Sequence, residues 1–329
     1  MNAFYSLLAV VLLVLLATVG AAGPAGKTLF GIALPYAALI VFVVGIVYRV
    51  VKWARSPVPF RITTTCGQQK SLPWIKHSRL ENPAGTLEVL GRMALEVLLF
   101  RSLFRNSKAA WRDQRLVYGD NQLLWMGALA FHYSLLVILL RHLRFFTEPV
   151  APFVPLLQGL DAFFQIGVPG LYLTDLVILA ALGYLFLRRI LSPAIRYISQ
   201  PSDYFALFLL LAIAGSGVLM RYFTKVDVRT VKELAMGLVS FQPALPEGIG
   251  IVFYVHLFLV SALLAYFPFS KLLHMPGIFL SPTRNLANNN RMVRHLNPWD
   301  YPVKVHTYEE WEDDFREKMR AAGLPLEKE

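Results

Sequence analysis

Apolar positions along the 329 residues gather into six long blocks separated by polar stretches. A membrane-spanning helix needs about 20 mostly apolar residues. The blocks at 4–22, 29–51, 123–146, 171–187, 204–222 and 249–274 meet that requirement, so the pattern predicts six transmembrane helices. The first block ends in small residues, as a cleavable leader does, but no Lys or Arg precedes its apolar core. The second block follows after a short turn around Pro24. The first is therefore read as retained, one arm of a helical hairpin.

The polar stretch 53–120 opens as irregular chain punctuated by Pro57, Pro59 and Pro73. From 86 to 110 the periodicity becomes that of an amphipathic helix, with Leu90, Met93, Ala94, Val97 and Leu98 on one side. Arg92, Arg101, Arg105 and Lys108 are expected at the lipid surface, or on a dock for a soluble partner. Near the end, 308–322 reads as a charged helix with Trp311, Phe315 and Met319 four apart. The expected organisation is an N-terminal hairpin (1–52), a cytoplasmic loop and interfacial helix (53–120), a four-helix core (121–280) and a cytoplasmic tail (281–329). The fold class is an all-α integral membrane protein.

Composition agrees: 56% of residues are hydrophobic and mean hydropathy is +0.51. Only 16% are charged, against about 25% in soluble proteins. The net charge of +11 would suggest nucleic-acid binding in a soluble chain. Placement changes that reading. Of 32 Lys and Arg, 13 lie in 49–120, three are Arg188, Arg189 and Arg196, and nine follow from Lys271 onward. With both termini in the cytoplasm, all three groups fall on the inner face of the membrane. The excess is thus an orientation signal and a partner surface, not a nucleic-acid footprint.

A single cysteine, Cys66, excludes an intramolecular disulfide and any Fe–S cluster or Cys-rich zinc site held by this chain alone. Covalent c-type haem is excluded too, because no CxxCH occurs. Cys66 itself falls in the cytoplasmic loop, where free thiols are ordinarily reduced.

Four of the seven histidines sit at membrane depth: His132 and His142 on the third block, His256 and His274 on the sixth. Polar groups in that setting are functional candidates. Imidazole is a haem ligand, and the two blocks run antiparallel. His132 would face His274 near the inner surface, and His142 would face His256 near the outer one, holding one haem at each level. The separations along ideal helices, roughly 15 and 27 Å, do not match. A bend at Pro268 would have to absorb the difference. A metal site or a proton relay are the other readings. Two stations at different depths disfavour a single metal, and the centres of the blocks carry no carboxylate for a relay.

His-x9-His followed by His-x17-His, together with FPFSKLLH at 267–274, resembles the gamma subunit of respiratory nitrate reductase, a quinol-oxidising dihaem cytochrome b. Two longer stretches, PFRITTTCGQQKSLPW at 59–74 and PTRNLANNNR at 282–291, resemble the DsrM family, the cytochrome b subunits of DsrMKJOP complexes in dissimilatory sulfur metabolism. That resemblance implies two haems b on His132, His142, His256 and His274, with menaquinone or another quinone as redox partner. It also implies a cytoplasmic Fe–S subunit, DsrK, similar to heterodisulfide reductases and acting on the small carrier DsrC, and the further subunits DsrJ, DsrO and DsrP. Thiol/disulfide chemistry would then reside on a partner. One feature departs from the nitrate reductase pattern: 145–170 contains no lysine to serve as the quinol-site residue beside the outer haem.

Haem propionates need cationic partners. Arg188 and Arg189 are candidates for the inner haem, and Arg141, Arg144 and Arg221 for the outer one, against the alternative of interfacial anchoring. Glu148, Asp161 and Asp175 are candidate proton acceptors at an outer quinone site, against solvated or helix-capping roles. A haem conduit without its own quinone site, or a non-redox scaffold, are the rival functions.

Overall fold

The computed structural model describes residues 1–56, 67–162, 170–292, 302 and 304–328. Cys66, and with it the first half of the 59–74 stretch, lies outside the described residues.

Helix α1 (Asn2–Gly20) turns at Gly23 into α2 (Pro24–Thr28), which runs through a π-helical turn into α3 (Leu34–Ala54). The turn is tight enough that a Cβ on Gly26 would collide with the Gly20 carbonyl. The expected hairpin is present. After the loop come α4 (Thr86–Leu99) and α5 (Arg101–Arg105), then a hairpin of β1 (Ser107–Arg112) and β2 (Arg115–Asp120). The chain continues as α6 (Gln122–His142), α7 (Phe153–Asp161), α8 (Leu173–Leu191), α9 (Pro193–Ile198) and α10 (Pro201–Val218). It closes with α11 (Val228–Val239), α12 (Ile251–Tyr266), α13 (His274–Leu280) and α14 (Tyr308–Ala321).

Among the described residues, five helical stretches are long and apolar enough to cross a membrane: Asn2–Gly20, Pro24–Ala54, Gln122–Phe145, Pro201–Thr224 and Ile251–Phe269. The remaining expected span, α8, has 19 residues but carries Asp175 near one end and Arg188 and Arg189 near the other. Its charge-free middle lies alongside α6 and α10, as a member of the same bundle. The protein is all-α in its membrane part, with one two-stranded hairpin outside it.

Three differences from the sequence reading stand out. The helix expected over 86–110 ends at Leu99, because Phe100 takes a left-handed conformation (φ 49°). The segment 107–120 is a β-hairpin whose turn residues, Asp113 and Gln114, both have positive φ, as two-residue hairpin turns require. Finally, α4 buries Val89 and Arg92, while Leu90 and Leu98 are exposed. Arg92, expected at the lipid surface, instead donates to the Thr283 carbonyl at 2.7 Å. Arg101 and Arg105 both pair with Glu81.

Helix α8 packs on α6, α10 on α8, and α12 on α10; α1 covers α10 and α12, and α3 lies against α12. The core around α1, α10, α11 and α12 is built from Val10, Ala17, Leu209, Leu234, Tyr254 and Leu259. At one end of the bundle, polar contacts tie together the regions rich in Lys and Arg. Asn2 donates to the Ser199 carbonyl and Ser6 to that of Pro201. Lys271 bonds Asp203 at 2.8 Å. The 67–92 loop and the 281–292 segment are joined through Asn288, wholly buried, which bonds Asn82 and the Pro83 carbonyl. The sequence places all of these on one side of the membrane, and they meet on one face of the fold.

Candidate functional site

The four intramembrane histidines occupy the side of the bundle between α6 and α12, helices that are not packed against each other as their neighbours are. At the end where the basic regions gather, the His132 and His274 rings stand 5.9 Å apart between centroids, at 84°. Towards the other end, His142 closes α6, and His256 stands on α12 beside Ser216 of α10. The spacing mismatch is resolved where the sequence placed it. Helix α12 stops at Tyr266, the chain passes Pro268 in a 3-10 turn, and His274 opens the separate helix α13.

Each ring has one nitrogen already engaged. Nδ1 of His132 bonds the Ala128 carbonyl at 2.7 Å and Nδ1 of His142 the Ile138 carbonyl at 2.7 Å, each one turn back along α6. Nδ1 of His274 bonds the Lys271 carbonyl at 3.0 Å. A carbonyl can only accept, so these three Nδ1 atoms carry the proton. His256 is decided by a hydroxyl. Ser216 Oγ donates to the Ile213 carbonyl at 2.9 Å, so toward His256 Nδ1, also at 2.9 Å, it accepts. All four rings therefore present Nε2 as a lone-pair donor. This is the arrangement in which metal-ligating histidines are held, one nitrogen on a protein acceptor and the other on the metal. None of the four is fully buried, so every ring keeps accessible surface. Two imidazoles sharing one metal, at metal–nitrogen distances of about 2.0–2.1 Å, place their centroids roughly 6 Å apart. The inner pair meets that spacing.

The inner pair is enclosed by elements that periodicity alone did not bring there. Phe100, at the left-handed junction of α4 and α5, lies edge-on to His132 with centroids 5.0 Å apart. The end of α4 is pinned there, because Trp125 Nε1 donates to the Leu99 carbonyl and Tyr133 Oη to that of Leu98.

Arg189 donates to Ser199 Oγ at 2.9 Å and lies 3.6 Å from Asp203, so its charge is partly satisfied within the protein; Arg188 precedes it in the last turn of α8. At the other end, Arg141 is buried and its guanidinium is held by two carboxylates, Asp161 at 3.2 Å and Asp175 at 2.8 Å. Asp161 also accepts from Thr174, and Asp175 from Tyr222 Oη at 2.8 Å. Arg141 and Arg221 both stack on Tyr172, at 3.7 and 3.8 Å. Arg221 donates to the Gly170 carbonyl, yet its Nε is buried and meets no acceptor among the described residues. Arg144 lies against the Phe145 ring.

Asp161 and Asp175 are thus neither solvated nor mere caps, but counter-ions of one arginine. Glu148 stands apart, exposed, and pairs with Lys232 of α11. Sequence reasoning missed Tyr172, Tyr222 and Lys232. Lys232 sits on an amphipathic helix 84 residues away in sequence from Glu148.

The fold and site define a multi-span helical membrane protein with four imidazoles on α6, α12 and α13, two of them face to edge. The nitrate reductase gamma subunit family matches residues 89–295, and the chain belongs to that family. An Archaeoglobus fulgidus protein named "Hdr-like menaquinol oxidoreductase cytochrome b-like subunit" is 49% identical over 279 residues, covering 83% of each chain. The protein of the same name from Archaeoglobus profundus is 44% identical over 275 residues, covering 82% of each.

Proposed function

We propose that this protein is the membrane electron-transfer subunit of a quinone-linked oxidoreductase, holding two haems b by the pairs His132–His274 and His142–His256. The observation that carries this reading is the common state of the four rings, each with Nδ1 on a protein acceptor and Nε2 available. A haem in each pair supplies a reversible one-electron couple, and two at different depths make a path across most of the bilayer. Similarity to the menaquinol oxidoreductase subunits supports menaquinone as the quinone and heterodisulfide-reductase-like proteins as partners. The 59–74 and 282–291 stretches narrow this to a DsrM-like subunit that exchanges electrons with a cytoplasmic Fe–S protein of the DsrK type in dissimilatory sulfur metabolism, alongside DsrJ, DsrO and DsrP and, indirectly, DsrC.

Quinol oxidation releases two protons as well as two electrons, so a quinone site needs a proton acceptor. Asp161 and Asp175, both ion-paired with Arg141, would form the wall of such a site. Glu148, exposed and paired with Lys232, is the candidate acceptor in contact with water. The second reading, a conduit from a periplasmic cytochrome c, needs no such group.

The test is reduction by a menaquinol analogue. The purified complex should show about two b haems per chain, reducible by the analogue and blocked by a quinol-site inhibitor. Replacing His132 or His274 by Ala should remove one haem, and replacing His142 or His256 the other. Absence of b haem in intact protein, or loss of unmatched haems within a pair, refutes the assignment; haems that quinol cannot reduce leave the conduit.

A further inference from the structure

Arg49 lies in the last turns of α3, at the inner end of the N-terminal hairpin, outside the helices that carry the histidines. Its place is fixed by contacts on either side. One turn before it, a Cβ on Gly45 would lie 2.7 Å from Pro268 and 3.3 Å from Phe269. One turn after it, Trp53 packs on Gly277, 3.7 Å from where a Cβ would stand. Residues four apart share a helix face, so the face bearing Gly45, Arg49 and Trp53 runs alongside the chain from Pro268 to Gly277. His274 lies within that stretch.

The second observation concerns the guanidinium. Arg49 Nε is buried and meets no hydrogen-bond acceptor among the described residues, while Trp53 approaches the cation at 5.5 Å. Lys52 and Arg55, further along α3, are exposed and fit the interfacial-anchor role in which a cationic head reaches water. Arg49 differs from them: it is half-buried, and its Nε is withdrawn from solvent without an acceptor among the described residues. A charged N–H buried without an acceptor is a position that an anion would satisfy.

We infer that Arg49 is the counter-ion for the anionic carboxylate edge of the cofactor held by His132 and His274, so that the N-terminal hairpin completes the inner site. This rests on the haem reading above. Arg189, partly satisfied by Asp203 and Ser199, is not the principal partner. The same donor could serve a lipid phosphate, and the experiment separates the two.

Arg49→Gln and Arg49→Lys are made in the full complex, haem per chain is counted by the alkaline pyridine spectrum, and the haems are titrated electrochemically. A nearby positive charge disfavours the ferric state, so Arg49→Gln should lower one midpoint potential, leave the other unchanged, and be partly restored by Arg49→Lys. The shift should persist in a His142→Ala background and vanish in His132→Ala. Unchanged potentials with both haems bound overturn the proposal. So does an effect confined to thermal stability that returns when anionic phospholipid is added, the signature of a phosphate ligand. If the wild-type complex carries no b haem, the reading beneath the proposal fails first, and on a separate measurement.

Discussion

Single atoms carry much of the functional argument. The hydroxyl proton of Ser216 goes to Ile213, and this decides which nitrogen of His256 is left for a ligand. Ser216→Ala leaves the Nδ1 proton of His256 without its acceptor, at a cost of about 1–3 kcal/mol. The imidazole also becomes a weaker donor to a ferric ion. The expected result is a lower melting temperature in detergent and a raised potential of the haem that His142→Ala removes, read by redox titration. Outside the membrane, Glu88 accepts from the Ala84 N–H at 2.7 Å and from His77 at 3.3 Å. Burial pushes its carboxyl up, but the Ala84 N–H, His77 and Arg79 outweigh this and hold it below its ordinary value. A lowered folded-state pKa contributes stability that is present above the unfolded value and lost as pH falls through the folded one. Wild type should therefore melt above Glu88→Gln at neutral pH, and the gap should close as the pH is taken below about 4.5, the ordinary glutamate value.

At the level of elements, the site depends on helices being held at fixed separations. Helix α6 approaches α8 at Gly127, where a Cβ would lie 2.6 Å from the Tyr184 ring. Gly127→Val should force the two apart and destabilise the bundle by about 1–3 kcal/mol, seen as a lower melting temperature and, on the proposed function, as weaker retention of the haem assigned to His132, which lies on the same helix. Elements with a strong single period were legible in advance. The charged helix expected over 308–322 is observed as Tyr308–Ala321, opened by a capping box between Thr307 and Glu310. The β-hairpin was not legible, because its turn uses Asp113 and Gln114 at positive φ rather than the Asn-Gly or Asp-Gly pair that signals such a turn. Nor was the end of α4 at Phe100, whose left-handed backbone is stabilised by tertiary contacts that its residue type does not announce.

For the whole molecule, the basic regions gather on one end of the bundle, through Asn2 with Ser199, Lys271 with Asp203 and Arg92 with Thr283. With that end in the cytoplasm, protease added to inverted vesicles should remove α14, while right-side-out vesicles should protect it; the reverse pattern would overturn the orientation. Hydropathy and histidine spacing determined by themselves that this is a helical membrane protein and singled out four histidines in its apolar blocks, because burial in lipid demands long apolar runs and leaves few polar residues to interpret. They also located the bend at Pro268. Tertiary structure alone decided which nitrogen each ring offers, that Arg141 binds both Asp161 and Asp175, that Lys232 reaches Glu148, and that Phe100 lies against His132. These facts depend on distances between residues far apart in the chain, and a one-dimensional pattern carries no information about which remote hydroxyl, carboxylate or ring packing will bring within reach.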